Sequence, residues 1–280
     1  MAEITPPMVA RLREMTGAGM MDCKRALIEA NGDLNLAVDI LRKKGAATAA
    51  RKSLREAREG VIAQCILPGG RLGVLVEVNC ETDFVARNDT FRAFCETVTR
   101  KLAADPNAPL EADREAAVAQ IRENIRIPRH TRMEVSGHGL VAAYIHTGAK
   151  VGVLVEVGAG QEATVASDDF KQLVKDITLQ IAAANPLAVS RDQVAPAIIA
   201  KEKEIAAEQA KNKPPQALAK IIEGKLEKFY QSYCLLDQGF VKKNSEISVK
   251  DHAASVAKQL GDDVVIRRFA RFQVGETPAA

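Results

Sequence analysis

Apolar positions early in the chain recur at three- and four-residue spacing, give way to runs of β-branched residues, and later return to helical spacing. Val9, Leu12 and Met15 follow Pro6 and Pro7, with Thr5 placed to cap a helix that the glycines of TGAG (16–19) stop. Met21, Ala26 and Leu27 predict a second helix ending at Asn31 and Gly32, where positive φ is tolerated. Asp33 caps a third, with Leu34, Ala37, Val38 and Leu41 at i, i+3, i+4 and i+7, ending near Gly45. The three form a compact module over residues 1–45. AATAARKSLREARE (46–59) is rich in Ala and charge with a narrow apolar face, which predicts a helical tether.

The pattern then repeats. GVIAQCILPGGRLGVLVEV (60–78) aligns without gaps on GLVAAYIHTGAKVGVLVEV (139–157), with about half the positions identical. Each copy is a pair of β-branched runs joined by a glycine-containing turn, a hairpin signal. A helix follows each: Phe91, Phe94, Cys95, Val98 and Leu102 in one, Phe170, Leu173, Val174, Ile177 and Ile181 in the other. They end alike, at AADP (103–106) and AANP (183–186). The fold class is therefore α+β, with a duplicated hairpin-plus-helix core of two subdomains, 60–138 and 139–189 with 233–280.

The first subdomain continues through a charged helix around 114–122 into RENIRIPRH, where Pro128 opposes further helix. Residues 190–232 interrupt the second. Pro196 opens a helix bearing Ile198, Ile199, Ile205 and Ala206; the turn Asn212-Lys213-Pro214-Pro215 leads to another bearing Leu218, Ile221, Ile222, Leu226 and Phe229. Two narrow apolar stripes predict a projecting antiparallel helical hairpin of coiled-coil type, a device for partner contact. VVIRRFARFQV (264–274) alternates as a closing strand.

Duplicated units share what holds the fold and diverge where their roles differ. After the common GVLVEV the first copy reads NCETDFVARND and the second GAGQEATVASDD. Asn88 or Asp89, and Ser167 or Asp168, are placed to cap the following helices in both. Phe84 has no aromatic counterpart. It either tucks under its own loop or stands out beside Asp83 as an interface anchor. His146, facing Leu67 across the repeat, reads from the residues alone as a histidine beside a turn.

Composition narrows the chemistry. The 280 residues, 47% apolar, suit about two domains, and 39 basic against 36 acidic residues leave a net charge of only +3, so no strong field for nucleic acid is implied. Five scattered cysteines without a CxxC pair, and an amino terminus without an apolar leader, fit reduced thiols in the cytoplasm. No apolar run approaches the roughly 18 residues that span a bilayer. The four histidines show no ligand spacing, and phosphate-loop, nucleophile-elbow and dinucleotide motifs are lacking. A binding protein without covalent chemistry is expected, with no cofactor, no bound metal, and neither nucleic acid nor membrane as partner.

Four stretches carry a resemblance: TGAGMMDCKRALIEANGDLNLAVDILRKKG (16–45), EVNCETDFVARNDTF (77–91), RENI (122–125) and the FARFQVGE run beginning at Phe269. In this order, over nearly the whole chain, they resemble the bacterial elongation factor Ts family. The resemblance implies a nucleotide exchange factor for elongation factor Tu, and an amino-terminal module of ubiquitin-associated type that binds the partner's GTPase domain. A second domain of the partner would meet the core. Thr82, Asp83, Phe84 and Val85 would be the segment that dislodges Mg²⁺ from the partner. Met20, Met21, Lys24, Ile125 and His146 would be partner contacts, although the two methionines are equally readable as module core. The helical hairpin is associated with dimerisation in some members. Some members also continue past VGE with a further helix, whereas this sequence stops at TPAA (277–280), so exchange is expected to lean on the module and the core. A chaperone-like or RNA-associated scaffold using the basic residues at 43–44, 51–52 and 126–132 is the alternative, but these lack interleaved aromatics for base stacking.

Overall fold

A computed structural model of the protein describes residues 3–211 and 214–276. Three helices come first, α1 (Pro6–Thr16), α2 (Met20–Glu29) and α3 (Leu34–Lys52). The Thr5 hydroxyl makes no capping bond, so the paired prolines start α1, while Gly17 at φ 65° donates its N–H to Arg13 O and closes it. Asp33 caps α3 as expected, its Oδ1 accepting from the N–H groups of Asn35 and Leu36 at 2.8 and 3.0 Å. Leu12, Cys23, Ala26, Leu27 and Ala37 fill the module's core.

The core follows as β1 (Glu59–Ile66), β2 (Leu72–Cys80), α4 (Asp83–Ala86), α5 (Asp89–Ala104), α6 (Glu111–Ile121) and β3 (Arg126–Glu134). The second unit is β4 (Gly139–Ile145), β5 (Val151–Ala159), α7 (Glu162–Ala166) and α8 (Asp168–Ala184), then the hairpin α9 (Pro196–Gln209) and α10 (Pro215–Tyr233), then α11 (Val249–Leu260) and β6 (Val264–Gln273). Two antiparallel sheets result, in the orders β1-β2-β3 and β4-β5-β6. The α+β class and the duplication read from the sequence describe the molecule, and the duplication runs further than the hairpins. Each third strand pairs with its central strand in the same register, Glu77 opposite Arg129 and Glu156 opposite Arg268, and each slips by a bulge just beyond.

One face of each sheet takes its own helix: Val74, Val76 and Val78 meet Phe91, Cys95 and Val98, as Val153, Val155 and Val157 meet Phe170, Val174 and Ile177. The other faces pack on each other through Ile62, Leu75 and Met133 from one half and Val141, Leu154 and Phe272 from the other. Matching glycines let them approach: a Cβ at Gly73 would lie 2.6 Å from Val141 Cγ1, and one at Gly152 2.4 Å from Ile62 Cγ2.

Two buried glutamates cross-link this contact symmetrically. Arg129 donates from Nε to Glu77 Oε2 at 2.7 Å and from Nη2 to Gln273 O at 2.9 Å. Arg268 donates from Nε to Glu156 Oε2 at 2.7 Å and from Nη2 to Glu134 O at 3.1 Å. Burial works to raise the pKa of Glu156, but hydrogen bonds from Arg267 and Arg268 outweigh it and hold the carboxyl below its usual range.

Two expectations are corrected. The third helix does not end near Gly45, nor does a separate helical tether fill 46–59. α3 continues to Lys52, with Gly45 and Ala49 buried on the face that lies against α6, and the chain then turns into β1 at Glu59. Gly45 is thus a buried glycine inside the helix rather than a stop. The stretch containing Pro128 is a strand, tolerated because β3 is an edge strand and Pro128 sits at its bulge. α11, unread in the sequence, packs on α8 through Val249 and Val256.

The helical hairpin forms as expected and packs on the core at its base, where Phe229 and Tyr230 meet Ala188, Val194 and Cys234. Arg191 braces that base, bonded to Glu227 and Asp237 and stacked 4.7 Å from the Tyr230 ring centre. Asn212 and Lys213 of the predicted turn, and Thr277 to Ala280, lie outside the described residues.

Candidate functional site

The central strand β2 is buried along its whole length and ends at Cys80, whose thiol burial pushes up to about 12, with Glu123 nearby adding to the shift. The next residues do not form a loop. Thr82 is extended at φ −126°, and its hydroxyl accepts the Val85 N–H at 3.3 Å, starting the short helix α4. The same hydroxyl donates to Glu123 Oε1 at 2.7 Å, while Glu123 Oε2 accepts the N–H groups of Glu81 and Thr82, both at 3.0 Å. Val85 packs onto the first core beside buried Ala86. Asn88 then caps α5, its Oδ1 accepting from Thr90 N–H at 2.8 Å.

This arrangement divides the predicted segment by role. Thr82 and Val85 face inward and hold the turn; Asp83 and Phe84 are what it presents. The Phe84 ring is 81% exposed, so it does not tuck beneath its own backbone. Asp83 is half-exposed and accepts from Arg87 Nη2 at 3.0 Å, a surface pair of the kind worth about 1 kcal/mol or less and readily given up.

The second half makes the same turn without the ring. α7 follows β5, Ala163 stands where Phe84 stands, and Gln161 makes no capping bond in the place of Thr82. Ser167 caps α8, its Oγ accepting the Phe170 N–H at 3.2 Å.

On the module, Met20 and Met21 are 50% and 62% exposed, and Lys24 is exposed on the same helix, so the methionines are not core. Ile28, 51% exposed and one turn beyond Lys24, extends that face. It was missed from the sequence, although its position seven residues after Met21 and off the Ala26–Leu27 face is a usable signal. The expectation for Ile125 is corrected. It is fully buried in the first core, beneath the turn that carries Glu123, and offers no surface to a partner.

His146 is exposed at the β4–β5 turn, with Nδ1 2.9 Å from the Tyr144 hydroxyl. It stands between two clefts. One, of about 400 Å³, is lined by Gln64, Arg92, Glu96, Ile145 and Gly148 and so reaches α5, the helix that α4 leads into. The other, of about 620 Å³, is lined by Tyr144, Gln172, Lys175, Phe240 and Lys242.

Among the described residues no cluster of three or more His, Cys, Asp or Glu side chains is placed to hold a metal, and no helix is long and apolar enough to cross a membrane. The predicted residues contribute two of the protein's exposed apolar features, the Phe84 turn and the Met20–Met21–Ile28 face.

Comparison with known proteins places the chain in a family. Residues 81–276 match the family model described as elongation factor TS. The elongation factor Ts of Symbiobacterium thermophilum is 44% identical over 285 residues, covering 99% of this chain and 93% of the relative. That of Nostoc sp. is 40% identical over 294 residues, covering 99% and 94%, and that of Nitratidesulfovibrio vulgaris is 40% identical over 283 residues, covering 99% and 98%. From the exposed methionines of the module to the closing strand, the whole chain therefore belongs to the elongation factor Ts family.

Proposed function

We propose that Asp83 and Phe84 act as a wedge that loosens Mg²⁺ and GDP in elongation factor Tu, with the module face at Met20, Met21 and Lys24 as the second grip on its GTPase domain. As a member of its family the protein is a cytoplasmic nucleotide exchange factor for elongation factor Tu in translation elongation and carries out no covalent chemistry. The observation that carries the wedge reading is the exposed Phe84 ring on a doubly anchored turn, at a position where the sister unit has alanine. Leaving a phenyl ring out of a core forgoes about 2 kcal/mol of burial, which binding into an apolar crevice would recover.

The physics is differential binding. A GTPase holds GDP through its phosphate loop and through Mg²⁺ that bridges the phosphates to protein oxygens. A ring wedged beside that metal displaces its protein surroundings while Asp83 brings negative charge toward them. Each 1.4 kcal/mol removed from nucleotide binding speeds release about tenfold when the on-rate is unchanged. Linkage makes the effect mutual, so nucleotide binding expels the factor. His146 is a further contact in this reading, flanked by clefts that would receive partner side chains, and the second half would meet a second domain of the partner. Ile198 and Ile205, exposed on the projecting hairpin, support its use for dimerisation or partner contact.

Stopped-flow release of fluorescent GDP from elongation factor Tu tests the reading. Addition of the protein is expected to speed release by roughly a hundredfold or more, equivalent to about 3 kcal/mol. Unchanged release would sink it.

A further inference from the structure

We propose that Glu123 is the positioning residue that aims Phe84, and that the turn Arg122-Glu123-Asn124 ties the wedge to the amino-terminal module. The assignment rests on the wedge reading and adds the group that sets the wedge's direction. Glu123 commits both carboxylate oxygens to the root of α4, accepting from two consecutive backbone N–H groups and one hydroxyl at 3.0, 3.0 and 2.7 Å. Hydrogen bonds to an ionised acceptor are the strong ones, and these fix the extended residues from which the short helix starts. The grip is reciprocal: Glu81 Oε1 accepts the Asn124 N–H at 2.6 Å, and Asn124 Nδ2 donates to Arg55 O at 2.7 Å.

The same turn reaches the module. Arg122 Nη2 donates to Asp22 Oδ2 at 3.0 Å, and Lys52 at the end of α3 donates to the Arg122 carbonyl. Asp22 lies on α2 between Met21 and Lys24. Three consecutive residues thus touch both the root of the wedge and the helix carrying the module's exposed methionines.

The second half separates what the fold needs from what has been added. Asp262 occupies the corresponding turn before β6, and its Oδ2 accepts the Gln161 N–H at 2.9 Å, so a carboxylate clamp on the short helix is common to both halves. Gly261, at φ 63°, ends α11 there; Arg122, at φ 66°, ends α6. Glycine adopts that left-handed conformation freely, whereas a residue with a side chain is strained there. The first half accepts this strain at the residue whose guanidinium reaches the module. Its clamp also carries Phe84, which the other clamp does not.

The test is GDP release from elongation factor Tu at saturating exchange factor, with urea unfolding of every variant. Glu123→Ala is expected to slow saturated release about tenfold and Asp262→Ala less than about twofold, and in a Phe84→Ala background Glu123→Ala should add less than about twofold. A residue that acts through another loses its effect once the other is gone. Glu123→Gln, which keeps one oxygen acceptor, should fall between wild type and Glu123→Ala, and it carries the same comparisons if Glu123→Ala does not fold. Equal losses for the two clamps, or a full further loss in the Phe84→Ala background, would reduce Glu123 to holding the fold and overturn the assignment. Wild-type release by Glu123→Ala alongside slow release by Phe84→Ala would overturn it too. If Phe84→Ala itself releases at the wild-type rate, the wedge reading has failed and the assignment falls with it.

Discussion

The turns Asp83–Ala86 and Glu162–Ala166 are one structural move made twice. Each leaves a buried central strand, starts a short helix rooted on a carboxylate from the turn before the third strand, and runs into a long capped helix. In the first the outward position holds Phe84, and in the second Ala163. Because both turns fold, the ring is not what makes the turn. The differences gather at one end of the first half: Thr82 for Gln161, Phe84 for Ala163, Arg122 for Gly261. The buried Glu77–Arg129 and Glu156–Arg268 links, by contrast, are alike in both geometry and register. The shared parts orient the two halves, and the unshared parts set what the first turn presents and what it is tied to.

That comparison can be broken at its shared parts first. Glu77→Ala leaves Arg129 largely buried without its buried carboxylate, with only the 3.7 Å contact to Glu276 remaining, and should destabilise the protein by about 3 kcal/mol in urea unfolding. Glu156→Ala strands the more exposed Arg267 and Arg268, so its loss should be about 2 kcal/mol. Equal losses at the two sites would show that exposure of the arginines does not govern the cost.

Acid probes the same link. The folded pKa of Glu156 lies below its unfolded value, so its contribution is present above the ordinary carboxylate range and is lost as pH falls through the depressed folded value. The urea midpoint should therefore drop on acidification below about pH 4.5, and drop less in Glu156→Gln. Identical pH profiles for the two would remove Glu156 from the acid response.

The caps should differ more modestly. Thr82→Ala removes a hydroxyl that both caps α4 and binds Glu123, with an expected loss of about 1 kcal/mol, while Gln161→Ala, which removes no capping bond, should be near neutral. A loss at Gln161 as large as at Thr82 would deny the first turn its special anchoring. Arg87→Ala is the smallest change: loss of the exposed pair with Asp83 should alter stability by less than about 0.5 kcal/mol.

How much of this was legible in the sequence follows from range. The hairpins and their helices could be read because GVLVEV recurs without gaps and the apolar spacing on α5 and α8 is regular. The third strands were harder, since RIPRHTRME and VVIRRFARFQ share little beyond an arginine opposite each buried glutamate, and the hairpin α9–α10 displaces the second copy along the chain. Gly45 misled because a glycine buried in the middle of a helix looks, in sequence, like one that ends it. Phe84 stood out because the repeat gave it no counterpart. Glu123 did not, because its bonds run to Glu81 and Thr82, far back in the chain, and no local pattern records them. Ile125, beside it in the same motif, shows the converse: a residue in a recognisable stretch can serve the core alone.

The most direct test of the contrast moves the ring. Phe84→Ala, Ala163→Phe and the double exchange are compared in saturated release of fluorescent GDP from elongation factor Tu, after urea unfolding has established their folded fractions. The account predicts that Phe84→Ala slows release by about thirtyfold, the equivalent of about 2 kcal/mol, that Ala163→Phe leaves it unchanged, and that the double exchange is as slow as Phe84→Ala. Wild-type release by fully folded Phe84→Ala would contradict it.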